Sequence, residues 1–142
     1  MKHKGSISQL YQTRDRQIIP ELFRSAKGLA EYPTTVSRLC HIAATLPVDR
    51  YYITDDAALE YVRKRNFYGI RKRYSNEYKQ KLFDSLYQEV VGMMRQPHYK
   101  DTELTHIVID ALMRPAPCVG IAPIGIFKIL LRHKERKHHG KV

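Results

Sequence analysis

The chain has 142 residues, 43% of them hydrophobic, which suffices for one compact domain with a core and argues against a disordered tail. Lys and Arg number 25 against 14 acids, a net charge of +11 that favours a polyanionic partner, nucleic acid first and an anionic membrane second. Two cysteines, Cys40 and Cys118, match neither a disulfide scaffold nor metal-ligand spacing, and the longest apolar stretch, Pro115–Phe127, is too short to cross a bilayer. With no apolar signal-peptide core at the N-terminus, a reducing, cytoplasmic setting without a membrane is expected.

In chain order, Ile7, Leu10, Tyr11, Ile18, Leu22 and Phe23 predict a helix over 8–27, kinked or split at Pro20 and stopped by Gly28. Thr34 or Thr35 caps the next helix, which reaches about Thr45 with Val36, Leu39, Cys40 and Ala43 inward. Arg50-Tyr51-Tyr52-Ile53 reads as a short extended step. Thr54 then caps a helix to about Asn66, with Asp55 and Asp56 in its first turn. Ser75 caps a longer helix to about Arg95, with a stripe of Tyr78, Leu82, Phe83, Leu86, Val90 and Met93. Asp101 or Thr102 caps a helix carrying Leu104, Ile107, Val108 and Ala111. Cys118–Ile121 is a second extended step, and Pro123 opens a last helix with Ile124, Phe127, Ile129, Leu130 and Leu131.

A shift of 68 residues lays Thr34–Arg65 on Thr102–His133, with Thr34, Ala43, Pro47 and Ile53 meeting identical residues. The apolar faces, the proline, the extended step and the second helix keep register. The expected fold is therefore all-α, a single domain over 1–142. Its roughly six helices form two pseudo-repeated three-helix units, 8–66 and 76–134, followed by a basic tail, 132–142, that frays. The two extended steps can pair as a short two-stranded antiparallel ribbon.

The basic excess is clustered. Residues 63–81 carry a net +7 and residues 128–142 a net +5, while Lys2 and Lys4 add two more. The first stretch, RKRNFYGIRKRYSNEYKQK, interleaves cations with Phe67, Tyr68, Tyr74 and Tyr78. Cations neutralise phosphates and aromatic faces stack on unpaired bases, so RNA or single strands are favoured over duplex. The candidate contacts are Arg50, Arg63, Lys64, Arg65, Arg71, Lys72 and Arg73 for phosphates, with Tyr68 and Tyr74 for stacking. The first copy's edge, Arg50-Tyr51-Tyr52, is expected to continue this surface. Basic residues also suit a helix C-terminus, which accounts for part of the tail's charge without a ligand.

Other readings are weaker. A helix-turn-helix over 35–66 has too long a connection, and Asp55 and Asp56 would open its recognition helix toward phosphates. Glu103 and His106 resemble half of a di-iron motif whose partner positions are Thr35 and Arg38. His41 and Cys40 diverge as helix neighbours, and the tail histidines lack a fixed scaffold. No catalytic signature, cofactor motif or metal spacing appears, so the expected function is non-enzymatic binding without a cofactor. The alternative is a protein–protein adaptor or assembly subunit whose basic surface meets an acidic partner, and a homodimer contact is open to the second copy through its apolar segment.

Overall fold

The computed structural model describes residues 9–140, with side chains described through residue 134. The described residues are mostly helical and contain no named strand. After a helical stretch over 9–13, the described residues form α1 (Ile19–Leu29), α2 (Val36–Thr45), α3 (Asp55–Tyr68), α4 (Glu77–Met94), α5 (Leu104–Leu112) and α6 (Pro123–Gly140). Lys2, Lys4 and the last two residues of the expected frayed tail lie outside the described residues.

Helix packing groups the chain into two compact units, a finer division than the single domain of the sequence reading. Unit 1 comprises Met1–Leu46 and Ile121–Val142, and unit 2 comprises Pro47–Gly120. Unit 1 therefore takes α1 and α2 from the first expected copy and α6 from the second. Unit 2 takes α4 and α5 from the second and α3 from the first. The 68-residue offset recurs in the elements: Val36 and Leu104 open α2 and α5, and Asp55 and Pro123 open α3 and α6.

In unit 1, α2 packs on both α1 and α6. Ile19, Leu22, Ala26, Leu39, Cys40, Ala43, Ala44, Ile126 and Ile129 form the core. Burying each large aliphatic side chain contributes about 1.5–3 kcal/mol before entropy is counted. Pro20, expected to kink or split the helix, coincides with a break in its α-helical register. It enters the first turn of α1, and the preceding turn, Arg14–Ile18, widens to a π-helix in which the Ile19 N–H reaches the Arg14 carbonyl. A proline ring collides with the carbonyl four residues back, and the wider turn relieves that collision. Helix α1 continues through Gly28 to Leu29. Thr35 caps α2 by accepting from the Arg38 N–H at 3.2 Å. Val36, expected inward, is exposed at the start of α2.

In unit 2, α3, α4 and α5 pack pairwise. The α4 stripe is buried from Leu82 through Met93, as its spacing predicts. Its cap is Asn76 rather than Ser75: the side chain accepts from the Tyr78 and Lys79 N–H groups at 2.9 and 3.3 Å. Thr54 caps α3, accepting from the Ala57 N–H at 3.3 Å. Helix α5 starts after Glu103, which makes no side-chain cap.

Beside these helices runs a single antiparallel bridge between Val48 and Ala116, residues 68 apart, exchanging two N–H···O bonds of 3.0 Å. The bridge draws the following residues inward, and Tyr51 and Tyr52 are only 2% and 5% exposed. This corrects the expectation of an exposed aromatic edge there. Both hydroxyls are satisfied, Tyr51 with Ser85 Oγ and Tyr52 with Asp49 Oδ1, each at 2.8 Å, so the rings can enter the core. No helix among the described residues is long and apolar enough to cross a membrane.

Candidate nucleic-acid interface

The basic stretch 63–81 leaves α3, crosses a loop and enters α4, all within unit 2. Gly69 ends α3 in the left-handed region, at φ +67°, where a side chain would be strained. Its N–H bonds back to the Arg65 carbonyl at 3.2 Å, and the Ile70 N–H bonds to the Lys64 carbonyl at 3.0 Å. The loop then lies on α4, held by two side chains one turn apart. Gln80 accepts from the Tyr74 N–H at 2.7 Å and donates to the Lys72 carbonyl at 3.2 Å and to Asp84 Oδ1 at 3.1 Å.

Asp84 is the hub. Its carboxylate accepts from Arg65 Nη1 at 3.0 Å, from Arg71 Nε at 3.2 Å, and from Arg71 Nη2 and the Tyr61 hydroxyl through shorter bonds. The bonds from Arg71, then those from Tyr61 and Gln80, favour the ionised form and hold its pKa down to about 2, against the opposing effect of burial. Burial first, and Asp84 second, push the Tyr61 phenol up. It therefore serves as a donor to the carboxylate. The network clamps the 70–76 strap to α4 with side chains rather than with a ladder of backbone bonds.

The candidate residues fall into separate roles. Arg65 and Arg71 share Asp84, and Arg65 also lies over the Tyr87 ring at 4.2 Å, so both are committed within unit 2. Lys64 pairs with Glu60 at 2.8 Å along α3. Arg50 donates to the Tyr51 carbonyl at 3.2 Å and covers Tyr52, with its guanidinium 5.6 Å from the ring centre. Tyr74 is no open stacking platform. Its ring packs on Phe83 and Tyr61, with centroids 4.8 and 6.4 Å away, and Lys72 and Lys79 lie near it at 5.4 and 4.6 Å. Tyr68 and Phe67 are exposed at 75% and 63%, at the end of α3. Arg63 and Arg73 are exposed and make no ion pair among the described residues.

Between strap and α4 lies an open groove of about 600 Å³, lined by Arg71, Arg73, Tyr74, Gln80, Lys81 and Asp84 among others. Sequence reasoning missed Gln80, Asp84 and Tyr61. The available signal was Gln80 and Asp84 at i,i+4 beside the apolar stripe of α4, a polar pair next to a run of cations. Among the described residues, no group of three or more metal-binding side chains gathers. No protein-family model, curated protein or solved structure matches the chain.

Proposed function

We propose that the chain is a non-enzymatic, cytoplasmic nucleic-acid-binding protein that contacts single-stranded RNA or DNA through the strap of unit 2. The observation that carries this reading is the pairing of an anchored basic strap with exposed aromatics at its root. Arg63, Lys72, Arg73, Lys79 and Lys81 supply cations for phosphates, and Tyr68, with Phe67, supplies a stacking face. Arg65 and Arg71 act as struts that shape the strap, which leaves them a smaller part in contact than the sequence reading assigned. A strap already held in place loses little freedom on binding, which favours affinity.

We also propose that the two units descend from a duplication in which the third helices were exchanged. The recurrent 68-residue offset in helix starts, and a bridge joining residues 68 apart, support this reading.

A polarisation titration against single-stranded RNA, single-stranded DNA and duplex, over a salt series, tests the function. Binding is expected to be tightest to single strands and to fall with salt. Substituting Lys72→Ala and Arg73→Ala together should lower the salt slope by about 1.4, at roughly 0.7 for each phosphate contact to a single strand. Tyr68→Ala should cost about 1–3 kcal/mol of single-strand affinity. An unchanged slope in the double variant would remove the strap as the site. No binding at low salt would remove nucleic acid altogether and favour an adaptor with an acidic protein partner.

A further inference from the structure

We propose that unit 1 carries a binding cleft for a phosphate group, formed by Arg16, Arg132 and His133. The cleft is about 60 Å³ and is lined by Asp15, Arg16, Ile129, Arg132 and His133. One water needs about 10–15 Å³ by the same measure, so the cleft has room for a single oxyanion. Asp15 and Arg16 come from the π turn and the other three from α6, elements that pack together within unit 1. π turns recur at functional sites because they re-aim side chains out of helical register.

The 68-residue offset relates this cleft to the Asp84 hub. Ile129, Arg132 and His133 correspond to Tyr61, Lys64 and Arg65, while Asp15 and Arg16 correspond to Phe83 and Asp84. In unit 2 the carboxylate of Asp84 is supplied by the chain and is shared by Arg65 and Arg71. In unit 1 the corresponding position holds an arginine. The hub's carboxylate thus has no counterpart at that position, where Arg16 shares the cleft with Arg132, His133 and Asp15.

The one acid present does not fill that role. Asp15 is paired with Arg14, Nε to Oδ1 at 2.8 Å, and Arg14 is itself seated over the Tyr11 ring at 4.5 Å. Arg16 and Arg132 make no ion pair among the described residues. Asp15 is the one acid lining the cleft among the described residues, and the two guanidinium forks with the imidazole offer more N–H donors than a carboxylate's two oxygens accept. A phosphate, with its additional oxygen and higher charge, matches that donor set better.

The test is an NMR titration of the full chain with sodium phosphate, run beside sodium chloride and sodium acetate at matched ionic strength. Saturable shifts of the Arg16, Arg132 and His133 side-chain signals with phosphate alone are expected. Arg16→Gln and Arg132→Gln should each weaken phosphate binding about tenfold or more. Both positions are exposed, and an unchanged melting curve confirms that the variants fold. Arg16→Lys should recover part of the loss. The Lys72→Ala, Arg73→Ala double variant should bind phosphate as the parent does, which separates this cleft from the strap. A 5′-phosphorylated oligonucleotide shifting the same signals would name a nucleic-acid end as the source, whereas shifts from inorganic phosphate alone would name the free ion. Shifts that follow chloride or acetate equally, or an Arg16→Gln variant with parental affinity, would overturn the assignment.

Discussion

Position 84 in unit 2 and position 16 in unit 1 are 68 residues apart and carry opposite charge. Around Asp84 two guanidiniums share one carboxylate and a loop is fastened; around Arg16 no ion pair forms among the described residues. The two units differ likewise in bulk. Over the whole sequence unit 1 has 13 Lys or Arg and four acids, net +9, whereas unit 2 has 12 and ten, net +2. The densest basic run thus lies in the nearly balanced unit. Clustering in sequence and excess in space are separate properties, and a polyanion responds to both: to local pattern at contact and to net field at a distance.

The largest effect that can probe this comparison is a cavity in either core. Leu86→Ala in unit 2 and Ile126→Ala in unit 1 each remove a fully buried side chain and should cost about 2–5 kcal/mol. Hydrogen exchange should accelerate most in α3, α4 and α5 for the first, and most in α1, α2 and α6 for the second. Equal acceleration everywhere would merge the two units into one cooperative body.

A smaller effect is expected at Gly120, the last residue of unit 2. Its φ is +82°, and a Cβ built there would lie 2.6 Å from Leu82 Cδ2. Gly120→Ala should destabilise by about 1–3 kcal/mol, from backbone strain and from displacing Leu82. Denaturant unfolding measures it, and a neutral result would mean that Leu82 has room to turn aside.

The smallest effect concerns Asp84 directly. Its folded pKa of about 2 lies below the ordinary 3.8, so it contributes stability that is present above pH 3.8 and lost as the pH falls toward 2. With solvent screening allowed for, this amounts to about 1 kcal/mol. Asp84→Asn should abolish that component of acid sensitivity. A parental pH profile in the variant would assign the acid dependence to other carboxylates.

The helical skeleton was legible because it rests on local signals. Apolar spacing marked the core face of α4, Thr35 and Thr54 marked caps, and Pro123 marked a start, whereas Ile124, Phe127 and Leu131 of α6, expected inward, are exposed. Legibility failed where the deciding partner was distant in sequence. Tyr51 and Tyr52 look like an exposed aromatic edge until Ser85, 34 residues on, accepts Tyr51 into the core. The pairing of Arg65 and Arg71 with Asp84, 19 and 13 residues away, is likewise invisible in the local pattern. Tyr74 resembles a stacking platform until Phe83 covers it. Tyr68 needs no distant partner, and its exposure matches the sequence reading. The grouping of helices into units was equally hidden, because the offset relates copies without stating which third helix each will pack against.

The depth of the Asp84 pKa also bears on control. A carboxylate that stays ionised down to about pH 2 keeps the strap fastened across every pH at which a cell operates, so acidification is not a lever on its shape. What can compete is another anion. Arg71 is held by one carboxylate at the rim of an open groove, and a phosphate arriving there offers it the same bidentate geometry. The fastening of the strap therefore rests on a charge pair that stays ionised, open to competition from anions and not from protons in that range.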